Sequence, residues 1–196
     1  MQYRREVFVE QLPLIDHFVK HLIHHRSIKP WLSRAHLSSP FWTDTSNAHL
    51  LQACIYWCMV FGSDRTNPTH WKELSDDDSD ALQESFRADL YSSLCTTPAE
   101  WNKYREEMVS FRNKYVAHRE LGHSQPVPML DRALEVAFHY DDWIRKAIAP
   151  DILDELPLRE LVNELRHKVD KEVSVAMQPF VAEQSLPADA PQAARR

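Results

Sequence analysis

The stretch that decides the fold is residues 97–119, TPAEWNKYREEMVSFRNKYVAHR. It opens with Thr97 three positions before Glu100, which is the spacing of a capping box, and Pro98 stands at the first helical position, where its missing N–H costs nothing. Large apolar residues then recur every three or four positions, at 101, 104, 108, 111 and 115. This pattern predicts one long helix, from Pro98 to about Arg119, with one face in a hydrophobic core.

Composition extends the helical interpretation to the whole chain. The 196 residues include only two glycines but twelve prolines. Because β-rich folds need glycine in their tight turns, this scarcity favours helices joined by proline-containing loops. Apolar periodicity and capping residues predict further helices, with Pro13 expected to kink or divide the first; their ranges are 3–25, 48–61, 81–94, 129–147 and 158–177. The predicted fold class is all-α, a bundle of five to seven helices.

Two boundaries follow from local composition. Residues 28–39, with Pro30, a Ser-Ser pair and Pro40 directly after them, predict an irregular connection, and Gly62 is a natural stop for the helix that precedes it. Alanine, proline and glutamine dominate from Pro179 onward. We therefore predict one helical domain over residues 1–178 and a disordered tail over 179–196.

Charge and cysteine content limit the functional class. The net charge of -6 argues against a protein that coats nucleic acid, although it leaves room for a small cationic site. The N-terminus lacks a signal-peptide core, and no apolar run reaches the roughly 20 residues of a membrane span. Three cysteines cannot all pair, and Cys54 and Cys58 stand one helical turn apart in an apolar run. We expect a cytoplasmic protein without a membrane segment, with these cysteines reduced and buried.

The segment that carries chemistry is Arg112 to His118. Arginine has a planar cationic fork suited to phosphate, and histidine ordinarily titrates near neutral pH. Between them Asn113 adds an amide that can orient either side chain. On an α-helix, six positions separate the two Cα atoms by about 9 Å along the axis and about 120° around it, so one helix does not bring them together. The residues alone are also consistent with solvated helix charges and a semi-buried histidine on the stripe of Phe111 and Tyr115.

Residues 112–118 resemble the signature of the HEPN superfamily, which is an arginine, a polar residue and a histidine four to six residues after the arginine. Asn113 supplies the polar residue here, and five residues separate Arg112 from His118. A second block, residues 57–64 followed by 69–71, is similar to one in bacterial HEPN proteins tied to abortive phage infection. The resemblance covers residues 1 to about 178.

This resemblance implies a metal-independent endoribonuclease that needs no cofactor. In that family the 2′-OH of the RNA attacks the adjacent phosphate and leaves a 2′,3′-cyclic phosphate and a 5′-OH. Carried over to this chain, Arg112 would hold the scissile phosphate, His118 would move protons and Asn113 would position one of them. Lys114 and Arg119 would extend a positive patch for the RNA backbone, although both also fit ordinary solvated helix charges.

The resemblance also implies partners. Family members usually form a two-fold homodimer that joins both motifs in one cleft, so RNA and a second copy of the chain are the expected partners. The expected setting is phage defence or a toxin–antitoxin system, the latter with an antitoxin as a further partner. The alternative is a non-catalytic HEPN-like module that binds RNA, a nucleotide or a protein.

Two other histidine-containing segments leave alternatives open. Asp64 and His70 lie in a polar loop and are candidates to line the same cleft as His118, or else to shape the loop and pack beside Trp71. The histidines at 17, 21 and 24 fall at i, i+4 and i+7 of the first helix. That spacing can build a metal site for a metal-dependent hydrolase. Only Asp16 stands near to complete such a set, so we expect a histidine-rich polar face and no metal.

Overall fold

The computed structural model describes residues 3–34, 39–64, 66–75, 80–118, 120–122, 124–147 and 156–184. These residues contain six α-helices and no β-strand, so the predicted all-α class is confirmed. The helices are α1 (Arg5–Arg34), α2 (Pro40–Phe61), α3 (Asp80–Ser93), α4 (Pro98–Phe111), α5 (Leu130–Ala147) and α6 (Leu158–Gln184). A 3₁₀ helix covers Trp71–Leu74, and a π-helix covers Arg112–Ala117 directly after α4.

Helix α1 is longer and more continuous than the sequence predicts. It passes through Pro13 and Pro30 without a break, so the irregular connection expected from residue 28 is wrong as far as Arg34. Each proline removes one hydrogen bond of the helix ladder. The helix nevertheless continues because α1 packs against α2 and α6 and residues on both sides of Pro30 belong to the core; Ile28 is only 2% exposed, and Trp31 and Leu32 pack against the buried cluster.

Two other helix ends differ from the predicted ranges. Helix α2 begins at Pro40, earlier than the predicted residue 48, because the Ser39 hydroxyl accepts a hydrogen bond from the Trp42 N–H at 3.5 Å. Helix α6 continues to Gln184 with Pro179 inside it. The predicted tail boundary at 178 therefore falls within this helix, and the rest of the predicted tail, 185–196, is outside the described residues.

The core is centred on α2 and is rich in aromatic rings. Trp57 is 1% exposed, and its indole N–H donates to the Ala133 carbonyl on α5 at 3.2 Å. The rings of Phe61, Trp101 and Tyr104 surround it, with centroids 5.3 to 6.2 Å away. Such edge and tilted contacts join α2, α4 and α5 into one core. Among the described helices, none is both long and apolar enough to cross a membrane.

A buried amide connects three parts of the chain. The Gln11 side chain on α1 is fully buried, and its Nε2 donates to the carbonyls of Thr69 at 3.2 Å and His70 at 2.8 Å. Its Oε1 accepts a hydrogen bond from the Tyr140 hydroxyl on α5. The loop after α2 is thereby held against α1 and α5, with all three polar groups of the amide satisfied.

Gly62 ends α2, as predicted, for a steric reason. Its N–H donates to the Cys58 carbonyl at 3.1 Å, and a Cβ atom at this position would lie 2.5 Å from that same oxygen. The obstructing atom belongs to the backbone of α2 and cannot rotate away. Only glycine therefore lets the chain leave the helix along this path.

Replacing Gln11 by leucine should destabilise the fold. The change leaves the Tyr140 hydroxyl and two loop carbonyls without their buried partner, which we expect to cost about 2–4 kcal/mol of unfolding free energy. Urea denaturation measures the loss, with Glu10→Ala on the exposed side of α1 as the control. A loss below about 1 kcal/mol would show that the loop does not depend on this amide.

Gly62→Ala should cost more stability than Gly122→Ala. Gly122 has φ +74°, yet nothing lies within 4 Å of its added Cβ, so only the backbone penalty of about 1 kcal/mol applies there. At Gly62 the clash adds overpacking of about 1–3 kcal/mol. Urea midpoints of the two variants give the comparison, and equal losses would contradict the steric explanation.

Candidate functional site

Helix α4 positions the candidate site, and its start is as predicted. The Thr97 hydroxyl accepts a hydrogen bond from the Glu100 N–H at 3.3 Å, while the Glu100 carboxylate accepts one from the Thr97 N–H at 2.8 Å. This reciprocal capping box satisfies donors that a helix N-terminus otherwise leaves open. The apolar residues of α4 then face the core; they are Trp101, Tyr104, Met108 and Phe111. The cap and this buried face fix the position at which Arg112 follows.

The segment that carries the motif is a π-helix, and the predicted regular α-helix to about Arg119 is wrong. The Arg112 N–H reaches the carbonyls of both Met108 and Val109, and the His118 N–H donates to the Asn113 carbonyl at 3.0 Å, five residues back. His118 then leaves the helix in an extended conformation, with φ −130° and ψ 117°. The α-helical angle of about 120° between arginine and histidine therefore does not apply. Single π turns inside helices occur frequently at functional sites.

Among the described residues, Arg112 alone has a buried side-chain nitrogen or oxygen without a hydrogen-bond partner. Its Nε is buried and has no hydrogen-bond partner among the described residues. The guanidinium lies beside the buried Cys58 thiol on α2. Burial raises the pKa of Cys58 to about 12, and the neighbouring Arg112 opposes that rise. Because Arg112 as a whole is only half-buried, its other guanidinium N–H groups can still be offered to an anion.

Arg112 and Asn113 line one solvent-open cavity. Its volume is about 430 Å³, and its walls are α2, the loop that follows it and the start of the π-helix. Its lining residues are Ile55, Cys58, Met59, Ser63, Thr66, Asn67, Arg112 and Asn113. His118 is exposed and does not line the cavity. One chain therefore brings the arginine and the amide together and leaves the histidine outside.

The loop wall of this cavity is fixed by its own hydrogen bonds. The Asn67 amide donates to the Met59 carbonyl at 2.7 Å, and the Thr69 hydroxyl donates to the same carbonyl at 2.9 Å. The Asn67-Pro68 pair indicates a turn from sequence alone. No sequence pattern, however, indicated that Ser63, Thr66 and Asn67 would face Arg112.

Of the two residues predicted to form a positive patch, only Lys114 is among the described residues. Lys114 is exposed and forms an ion pair with Glu120 at 3.5 Å, with each side chain about half exposed. Such a surface pair contributes little stability, and its two charges offset each other. Arg119, the second predicted member, is outside the described residues.

Asp64 and His70 do not line the Arg112 cavity. The Asp64 carboxylate accepts from the Lys72 ammonium at 2.5 Å, which lowers the pKa of Asp64. His70 is 2% exposed, and its ring accepts the Lys72 N–H at 3.3 Å and packs beside Trp71 with centroids 5.7 Å apart. Burial lowers the pKa of His70 to about 4. His70 is therefore a neutral loop-forming residue, which agrees with the alternative interpretation.

The histidines of α1 pair with α2. The Nδ1 atoms of His21 and His49 are 2.8 Å apart, His24 stacks on His49 at 4.8 Å, and His17 stacks on Tyr56 at 5.0 Å. Burial and the neighbouring histidines lower the pKa of His49 to about 4. Within the described ranges, no three histidine, cysteine or acidic side chains are arranged to hold a metal ion. The cluster contributes ring packing between α1 and α2.

Comparisons with models of known protein families, with curated proteins and with solved structures find no match for this chain. The resemblance to the HEPN superfamily therefore stays a prediction that depends on the motif residues themselves.

The lowered pKa of His70 predicts a pH-dependent stability. Its pKa is about 4 in the folded chain against 6.5 in the unfolded chain, so the unfolded state binds the proton first as pH falls. The stability from the neutral ring is complete above pH 6.5 and is lost toward pH 4, by at most about 1.4 kcal/mol per pH unit.

Urea denaturation at about pH 7, 6 and 5 measures this loss, and His70→Gln is the comparison because its amide can replace the ring N–H that bonds the Gly62 carbonyl. Other histidines with lowered pKa leave a slope in both proteins, so the readout is the difference between the slopes. Parallel curves would show that His70 does not titrate on unfolding.

Proposed function

We propose that this protein is a metal-independent endoribonuclease of the HEPN class that acts as a homodimer in the cytoplasm. The observation that supports it most is Arg112, whose buried Nε lacks a partner and whose side chain lines an open cavity beside Asn113. The type of reaction is inferred from the resemblance of residues 112–118 to the HEPN signature.

In this proposal Arg112 binds the scissile phosphate. The guanidinium is half-buried, so its attraction for a phosphate oxygen is less screened than at a fully exposed position. Its fork can hold two oxygens while negative charge develops on them in the transition state. The Asn113 amide, at the same cavity, would orient the phosphate or the sugar hydroxyl.

His118 would transfer the protons. The 2′-oxygen gives its proton to the imidazole and forms a bond to phosphorus, while the bond from phosphorus to the 5′-oxygen breaks and that oxygen takes a proton from the resulting imidazolium. The products are a 2′,3′-cyclic phosphate and a 5′-OH.

The position of His118 gives the reason for a dimer. Within one chain His118 is exposed at the end of the π-helix and outside the Arg112 cavity. A two-fold axis near the π-helix would bring the histidine of each copy to the arginine of the other. The active site in this proposal is therefore composite.

The proposal includes a biological setting, phage defence or a toxin system, and one alternative function without catalysis. Residues 57–64 and 69–71 are similar to a block in abortive-infection HEPN proteins, which favours phage defence or a toxin restrained by an antitoxin. The alternative is a non-catalytic HEPN-like module. The separation of His118 from Arg112 and the net charge of -6 favour it, and binding of RNA without cleavage would distinguish it.

Arg112→Ala and His118→Ala should each reduce RNA cleavage by at least about 10²-fold, because each removes a group that acts in the transition state. The assay incubates purified protein with total RNA in EDTA and maps the product ends for cyclic phosphate. Arg166→Ala and His167→Ala, which remove the same residue types from the exposed part of α6, are matched controls. Cleavage that persists in both motif variants, or that requires an added divalent metal, would overturn the proposal.

Mixing the two inactive variants tests the composite site. If arginine and histidine come from different copies, a heterodimer has one intact site, and an equal mixture should recover about a quarter of wild-type cleavage. If both groups come from one copy, no heterodimer has an intact site and mixing restores nothing. That second outcome would contradict the proposed dimer geometry.

A further inference from the structure

A second cavity lies on the other side of the loop that borders the Arg112 cavity. It has a volume of about 250 Å³ and is enclosed by the 3₁₀ helix, α3 and α4. Three cationic side chains, those of Lys72, Arg87 and Arg105, line it together with one carboxylate, that of Asp64. His70 also lines it and is neutral near pH 7, since burial lowers its pKa to about 4. Positive charge is thus concentrated here in a protein of net charge -6.

The two arginines are held in place by contacts other than ion pairs with carboxylates. The Arg87 guanidinium lies 5.6 Å from the ring centroid of Trp71 and donates to the Gln83 side chain at 3.0 Å. Arg105 donates to the Gly62 carbonyl at 3.1 Å. Among the described residues, no carboxylate forms an ion pair with either arginine. Each guanidinium therefore keeps several N–H donors for a ligand.

The geometry is that of a preorganised anion site. Both arginines are half-buried, so a bound anion would be attracted through a partly desolvated environment. Asn102 and Tyr91 bring an amide and a hydroxyl to the same cavity. Cationic and neutral donors that converge from three helices suit a group with several oxygens and more than one negative charge. We propose that this cavity binds a phosphate group.

Asp64 is the group that opposes binding. Its carboxylate pairs with Lys72 at 2.5 Å inside the cavity wall, and it would repel an incoming phosphate. Lys72 can contact both anions because an ammonium has three donors. The remaining charge still favours the anion, and removal of the Asp64 charge should strengthen binding.

The cavity is adjacent to the proposed ribonuclease site. Ser63 lines the Arg112 cavity, and the next residue, Asp64, lines this one. Arg105 lies on α4, and Arg112 follows the end of that helix seven residues later, about 10 Å along the helix axis. If the proposed function holds, an RNA strand cleaved at Arg112 could place another backbone phosphate here. A free nucleotide is the second source of the same chemical group.

Isothermal titration calorimetry tests the site with three probes: inorganic phosphate, adenosine 5′-monophosphate and a short 2′-O-methyl oligoribonucleotide. The oligonucleotide has no 2′-OH and cannot be cleaved, so its binding does not depend on the proposed catalytic activity. We expect Arg87→Gln to weaken binding at least about tenfold through loss of a charge-assisted contact. Asp64→Asn should tighten binding severalfold, and Arg87→Lys should keep much of it.

Arg159→Gln is the matched control, because Arg159 also lies over an aromatic ring, 4.3 Å from the Phe138 centroid, but lines a different cavity. Its binding should equal that of the wild type. Urea midpoints establish that Arg87→Gln is folded, and Lys72→Gln replaces it if that variant does not fold.

The probes separate the two sources. If Arg87→Gln weakens the binding of phosphate and adenosine monophosphate, the cavity is a nucleotide site. If it weakens the binding of the oligonucleotide alone, the cavity contacts the RNA backbone. Unchanged binding of all three probes in Arg87→Gln and Lys72→Gln would overturn the proposal, as would the absence of any binding. In an Arg112→Ala background, which removes the phosphate contact proposed for the first cavity, Arg87→Gln should still weaken phosphate binding even if no RNA cleavage is ever observed, so the failure of one proposal is distinguishable from that of the other.

Discussion

The buried amide of Gln11 is the constraint on which the functional face depends. It bonds two loop carbonyls and the Tyr140 hydroxyl at once, and no water is needed to satisfy it. Without these hydrogen bonds, a loop of polar residues would have few contacts to hold it in one conformation against an apolar core. Because the amide fixes the loop at Thr69 and His70, and the Gly62 backbone fixes its beginning, the described residues of this loop form a wall with two sides. One side borders the Arg112 cavity, and the other borders the cavity of Arg87 and Arg105.

The π-helix explains why the motif is positioned as it is. An α-helix continued from Phe111 would turn at 3.6 residues and place His118 about 120° from Arg112. In the wider π turn, the His118 N–H instead donates to the Asn113 carbonyl, and His118 itself has an extended backbone conformation. Arg112 stays against α2, beside Cys58, and His118 is exposed to solvent. Under the proposed function, one chain would bind the phosphate and the histidine of a second copy would transfer the protons. The separation of His118 from the Arg112 cavity is the physical basis for proposing a composite site.

Local sequence signals predicted some features well. The capping box at Thr97 and Glu100 and the stop at Gly62 both act through atoms within a few residues, and both are present as predicted. Predictions about α1 were wrong where they depended on neighbours in space. Pro13 and Pro30 do not interrupt α1, because burial against α2 and α6 outweighs one lost hydrogen bond at each proline. For Asp64 and His70 the sequence left two interpretations open, and in the fold both residues line the second cavity together with Lys72.

The sequence by itself determined the all-α class, the start of α4, the burial of Cys54 and Cys58 and the spacing of Arg112, Asn113 and His118. These depend on periodicity, caps and composition, which are properties of neighbouring residues. Only the tertiary structure decided that Arg112 would have a buried donor without a partner, that the motif would adopt a π turn, and that Arg87 and Arg105 would converge with Lys72. Desolvation and convergence arise from residues far apart in the chain, and no local pattern encodes the distance between them.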